Sequence, residues 1–175
     1  GTNYSLSIVG SPSTFAITSK PLTVTPTAGQ SKVYGSVNPV YGYSLSEVVS
    51  VTGALSRVTG ENVSTYAYTL GDLSAGTNYS LSIVGSPSTF AITAKPLTIT
   101  AKPHTITYNG TAYTGGNGVV PTGFAAGESI SSLTGTLNYT GTSQGAKNVD
   151  TYTIIPGGLS SPNYNINYVG GALEI

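Results

Sequence analysis

The chain has 175 residues with six basic and six acidic side chains, so its formal net charge is zero, and it contains no Cys, Met or Trp. Phosphate recognition needs clustered Lys and Arg, which are missing, so composition argues against a nucleic-acid partner. No apolar run approaches the ~20 residues that span a bilayer and no basic amphipathic helix appears, while the absence of Cys excludes a disulfide scaffold and a Cys-ligated zinc site.

The first segment in chain order carries the strongest signal. Gly1 to Thr18, GTNYSLSIVGSPSTFAIT, recurs letter for letter as Gly76 to Thr93, and the match runs on from Lys20-Pro21-Leu22-Thr23-Val24-Thr25 into Lys95-Pro96-Leu97-Thr98-Ile99-Thr100. Residues 1–18 therefore read as the C-terminal hairpin of a preceding repeat, and the chain as a piece of something longer. Residues 19–94 form a complete unit. Its strands are expected around 22–26, 31–34, 40–44, 53–58, 64–70, 78–84 and 89–93, punctuated by turns such as Gly85-Ser86-Pro87. Residues 95–175 form a second, diverged and slightly longer unit. In it Thr134-Gly135-Thr136-Leu137 answers Thr52-Gly53-Ala54-Leu55, Asn148-Val149-Asp150-Thr151-Tyr152 answers Asn62-Val63-Ser64-Thr65-Tyr66, and Asn163-Tyr164 answers Asn78-Tyr79.

Gly and Pro with abundant Thr, Ser, Val and Tyr disfavour helix and favour a pleated sheet, so the class is all-β. In Asn163-Tyr164-Asn165-Ile166-Asn167-Tyr168 the Tyr and Ile share one face and the Asn the other, the pattern of a half-buried strand. Tyr66, Tyr68 and Leu70, and Tyr152 and Ile154, point inward by the same rule. The strand count predicts tandem small β-sandwich domains of immunoglobulin-like kind, stacked end to end. The alternative is a β-grasp unit, should the short helical turns expected near Ser46-Glu47-Val48-Val49 and Gly127-Glu128-Ser129-Ile130 include a helix lying across one sheet. At each junction the chain passes through Thr-(Ser or Ala)-Lys-Pro-Leu, where Pro enforces extended geometry and makes the linker stiff.

Candidate sites are few. His104 has no partners in nearby sequence for metal or acid/base work and reads as a surface strand residue. Glu47 and Glu128 hold matching places, as do Glu61 and Lys147, where loop hydrogen bonds are the expected use. The acidic residues are too scattered to supply the several carboxylates of a calcium site. No catalytic, cofactor or metal site is expected, and the chain is not expected to be an enzyme. Tyr41, Tyr43 and Tyr113 lie in less regular segments and are the aromatics expected to be exposed to a ligand. Asn3, Asn62, Asn78, Asn109 and Asn138 each open an Asn-x-Ser/Thr sequon and are candidate glycosylation sites.

Lys32-Val33-Tyr34-Gly35-Ser36-Val37-Asn38-Pro39, Thr52-Gly53-Ala54-Leu55-Ser56-Arg57, Gly60-Glu61-Asn62-Val63, Gly71-Asp72-Leu73 and Asn78-Tyr79 resemble the MBG repeat of the Tyr-Gly-X type. The second unit, with Tyr108-Asn109-Gly110-Thr111, Gly123-Phe124, Gly135-Thr136-Leu137, Gly145-Ala146 and Asn163-Tyr164, is similar to the related Tyr-Asp-Gly kind, with Asn109 where the acid usually stands. The resemblance implies large secreted bacterial surface proteins, such as filamentous-haemagglutinin-like adhesins exported by two-partner secretion, or biofilm-matrix adhesins. It implies a stalk or filament role with adhesion carried elsewhere, and it brings no catalytic residues. The expected partners are neighbouring repeats of the same chain. The alternative is repeats that bind extracellular polysaccharide, a host glycan or each other, with lateral association into filaments or bundles through exposed sheet edges.

Overall fold

Short stretches of alternating apolar and polar residues become strands wherever a neighbour can take their backbone groups. The computed structural model describes residues 3–7, 9, 10, 14–85 and 88–175. In its first unit the strands are β1 (Lys20–Pro26), β2 (Ser31–Val33), β3 (Tyr43–Leu45), β4 (Ser56–Arg57), β5 (Ser64–Thr69), β6 (Tyr79–Ile83) and β7 (Thr89–Thr93). The second unit has β8 (Lys95–Ala101), β9 (His104–Thr105), β10 (Val119–Thr122), β11 (Thr134–Thr140), β12 (Thr151–Ser160), β13 (Tyr164–Val169) and β14 (Gly171–Glu174). All seven strands expected of the first unit are present, several of them shorter. Ser86 and Pro87, expected to turn the chain before β7, lie outside the described residues.

The topology repeats strand for strand. One sheet runs β3-β1-β6 and the other β2-β7-β5-β4, and the second unit repeats them as β10-β8-β13 and β11-β12-β14-β9. The sandwich expected from strand count has mixed pairing. β6 runs parallel to β1, from Lys20 opposite Tyr79 to Val24 opposite Ile83, and β2 runs parallel to β7. β13 on β8 and β9 on β14 repeat both parallel pairs. The only helical element among the described residues is a three-residue 3-10 turn, Ile130–Ser132. Residues 46–49 contain no helix, so none crosses a sheet and the β-grasp alternative does not apply.

Each core lies between the two sheets. In the first unit Val24 of β1 meets Tyr68 of β5 and Phe90 and Ile92 of β7, with Tyr41, Leu55 and Leu73 from the loops. Phe90, Leu22 and Val24 are fully buried, each contributing about 1.5–3 kcal/mol through burial. In the second unit Leu97 and Ile99 pack with Leu159 and Tyr164, and Ile154 with Leu173. Two glycines explain a repeated motif. Gly53 and Gly135, the second residues of the matching Thr-Gly-x-Leu tetrads, have φ of +75° and +90°, and a Cβ on either would sit 2.1 Å from a backbone oxygen, of Asp72 and Gly158 respectively. No side chain fits there.

Long exposed edges were expected, yet β2, β3, β4 and β9 are edges of only two or three residues. The longest edge, β11, is broken by a register shift between Gly135 and Asn138. Short or bulged edges are poor templates for another chain, which leaves β6 and β13 as the longer unbroken ones. At the start of the chain, where the hairpin of a preceding repeat is expected, residues 1, 2, 8 and 11–13 lie outside the described residues and none of the described residues among 3–18 is in a strand. Phe15 and Ile17 are exposed there, whereas their counterparts Phe90 and Ile92 are buried.

Candidate functional site

No group of three or more His, Cys, Asp and Glu side chains able to hold a metal occurs among the described residues. The polar chemistry of the molecule gathers instead in two places, one inside the first unit and one between the units.

Inside the first unit, β2 and β4 carry Lys32 and Arg57 into the sandwich, where both are buried. All five donor positions of Arg57 are used. Nε donates to Tyr41 Oη at 3.0 Å, one terminal nitrogen to the Val58 and Gly60 carbonyls at 3.0 and 2.6 Å, and the other to Asn38 Oδ1 at 3.0 Å and Glu61 Oε1 at 2.6 Å. The guanidinium also stacks over Tyr66, 4.7 Å from the ring centroid. Lys32 donates to the other Glu61 oxygen, and this contact with the one from Arg57 holds the Glu61 carboxyl below its usual range. A cavity of about 350 Å³, lined in part by Asn38, Tyr41, Arg57 and Glu61, opens beside the network. Arg57 has no donor left for an anion there, so the cluster works as a structural clasp. The second unit does without it. His104 occupies the Lys32 register position and faces Tyr113, with Nδ1 3.1 Å from the phenol oxygen.

Between the units only Ala94 separates β7 from β8. Tyr34 follows β2, anchored by its N–H donating to Thr93 O at 2.9 Å, and its ring packs against the cores of both units. It meets Tyr164 edge to face at 5.4 Å and 80°, and Phe124 also meets Tyr164 edge to face, at 5.4 Å and 81°. Both phenol hydroxyls donate to Glu128, Tyr34 to one carboxylate oxygen and Tyr164 to the other. Donation from Tyr164 and Tyr34 holds the Glu128 carboxyl low. Burial, with the bond to Glu128, pushes the Tyr164 phenol up to about 12, and Tyr34 is raised chiefly by its bond to the same carboxylate. A second contact flanks this one: Asn163 Oδ1 accepts from the Val63 N–H at 2.9 Å, and its Nδ2 donates to Asn62 Oδ1 at 3.0 Å. Gly35 sits so close that a Cβ would lie 2.6 Å from Ala125 Cβ.

The sequence candidates fare unevenly. Tyr41 is 9% exposed, in the core against Tyr68 and Phe90, and Tyr43 and Tyr113 are half-buried, so the expectation of three exposed rings is corrected. These rings complete the core beneath irregular segments whose alternation is too short to read. Asn3, Asn62, Asn78, Asn109 and Asn138 are all exposed. Asn62 is engaged at the junction, and Asn109 Oδ1 accepts from the Thr111 N–H at 2.8 Å within its own turn. Glu47 pairs with Lys20 at 2.7 Å and Glu128 binds the tyrosines, loop hydrogen bonds of the expected kind but across long sequence distances. Sequence reading quoted Tyr34, Tyr164 and Asn163 as motif residues without assigning them to a junction. The recurrence of Asn-Tyr at the start of β6 and β13 was the available signal.

Comparison with known proteins agrees with this architecture. The model of the MBG domain, YGX type, matches residues 22–90 and again 97–174, so the second unit falls under the same type as the first. No curated protein and no solved structure matches the chain. Such repeats are typical of extracellular or surface proteins. With two matches covering most of its length, the chain belongs to the MBG domain family of the YGX type and is a repeat module of surface adhesin-type proteins.

Proposed function

We propose that the chain is a stretch of stalk in a secreted bacterial adhesin, two repeats locked end to end so that the array projects or links an adhesive region rather than binding or catalysing by itself. The observation that carries this reading is the junction. A one-residue linker is backed by an aromatic pair of buried Tyr164 and half-buried Tyr34, a carboxylate accepting from both rings, and an Asn-to-backbone clamp. A flexible string of binding modules needs none of these, because each would restrict the reach of its neighbour. The shortness of most sheet edges and the saturated Arg57 also favour a spacer over lateral bundling or capture of an anionic polysaccharide.

The test is mechanical. Residual dipolar couplings measured on the 175-residue chain are expected to fit one alignment tensor for residues 20–93 and 95–174 together. Two independent tensors would overturn the stalk reading. Binding to an array of extracellular polysaccharides and host glycans is expected to be silent, and a saturable hit would support the alternative of direct binding.

A further inference from the structure

The base of the second unit receives the tip of the first, and the base of the first unit is made of the same parts. β1 begins at Lys20 paired with Tyr79 as β8 begins at Lys95 paired with Tyr164. The backbone bond is also conserved between units: Lys20 N–H donates to Asn78 O at 2.8 Å, and Lys95 N–H to Asn163 O at 3.0 Å. Asn78 thus stands where Asn163 clamps Asn62 and Val63, and Tyr79 where Tyr164 meets Tyr34. A carboxylate is present too. Glu47 is held at this edge by Lys20, both of whose contacts to it measure 2.7 Å.

The difference is that, among the described residues, no Tyr-Gly or Asn-Val turn of another unit packs on this base. An open cavity of about 170 Å³ lies there, lined by Ile17, Thr18, Ser19, Lys20, Thr77 and Asn78. Ile17 and Thr18 are the verbatim counterparts of Ile92 and Thr93, the residues that lead into the existing junction. The cavity therefore occupies the position at which, one unit along, the Asn62–Val63 turn meets Asn163. Glu47 retains acceptor capacity for a phenol, since a carboxylate offers about four lone-pair positions and Lys20 does not fill them.

We propose that the base of the first unit, Lys20, Glu47, Asn78 and Tyr79 around this cavity, is an acceptor face for the tip of a further repeat of the first unit's type. That tip presents a Tyr-Gly turn to Tyr79 and Glu47 and an Asn-Val turn to Asn78. The inference rests on the end-to-end reading above and extends it from one observed junction to a rule for the array: each unit carries a donor tip at one end and an acceptor base at the other. The second unit's tip is incomplete by this rule. It has Asn148-Val149 for Asn62-Val63, with Tyr152 Oη donating to Asn148 O as Tyr66 does to Asn62 O, but Ile106 in place of Tyr34, its N–H donating to Glu174 O as Tyr34 donates to Thr93 O.

Residues 1–18 allow a direct test, because a copy of residues 19–75 placed ahead of Gly1 recreates a whole first-type unit. Dipolar couplings on this three-unit chain are expected to fit one tensor throughout, and Tyr34→Ala in the copied unit alone should release that unit to a tensor of its own. If the copied unit tumbles separately without the mutation while the two original units share a tensor, the acceptor face is overturned and the stalk reading stands. If the original junction is loose as well, the stalk reading falls first. Should the three-unit chain not fold, the 175-residue chain itself serves. Unlabelled chain carrying both Ile106→Tyr and Thr107→Gly, which restores the Tyr-Gly turn, is added to labelled wild type; it is expected to shift the amide signals of Lys20, Asn78 and Tyr79, and no shift at millimolar concentration would overturn the proposal.

Discussion

Residues 3–18 and 78–93 present one amino-acid sequence in two contexts. In the second, the sequence makes β6 and β7; in the first, the described residues form no strand. Phe15 is 90% exposed and Phe90 is 0%. The difference lies in the neighbours: β6 runs beside β1 and β7 lies between β2 and β5, and no strand pairs with the described residues of 3–18. Strand propensity and alternation are therefore permissive. The pairing partner and the opposite sheet decide, because a lone two-stranded hairpin buries too little to offset the entropy of ordering it.

Four measurements break or sharpen this comparison. Phe90→Ala is expected to destabilise the first unit by about 3–5 kcal/mol in denaturant unfolding, since the ring packs edge to face with Tyr41 and Tyr68 and its loss leaves a cavity. Next, Arg57→Leu should cost about 2–3 kcal/mol, because the buried Tyr41 hydroxyl and the half-buried Gly60 carbonyl lose their donor. The cost stays moderate because Glu61, 61% exposed, can turn to water and keep its contact with Lys32.

The third effect is smaller and depends on pH. The Glu128 carboxyl is held below its ordinary 4.5, so its contribution to the junction is present above that value and is lost as pH falls through the lowered one. The Tyr164 phenol is raised from 10.0 to about 12, so its contribution is complete below 10 and is lost as pH rises towards 12. Thermal unfolding should therefore show a plateau bounded on both sides, and Glu128→Gln should weaken the acid limb without removing the part due to Glu61. The smallest effect belongs to the other copy: Phe15→Ala should change stability by less than about 0.5 kcal/mol, although it is the same substitution in the same sequence as Phe90→Ala.

Much of this molecule was legible before the fold. The verbatim repeat, the all-β class and the places of the first unit's strands follow from period-two alternation and Gly/Pro punctuation, which are local. The inward faces of Tyr68, Ile154 and Tyr164 were read correctly for the same reason. Tyr41 was misread as exposed because its segment is too irregular to show which side faces the core, and the groups that enclose it, Arg57, Tyr68 and Phe90, are distant in sequence. The parallel pairs β1–β6 and β2–β7 were not legible, since alternation gives a strand its faces and not its neighbours.

Sequence alone determined that the protein is a set of repeated β units joined through short Lys-Pro segments, because composition, alternation and proline geometry act over a few residues. Tertiary structure decided everything that needs two distant segments to meet. It made Glu128 the acceptor for tyrosines of both units, turned Lys32, Arg57 and Glu61 into one clasp, and made strands of the sequence at 78–93 while the described residues of its duplicate at 3–18 form none. The physical reason is common to all three: hydrogen bonds and burial stabilise only where a partner is held in place, and the partner is placed by the fold.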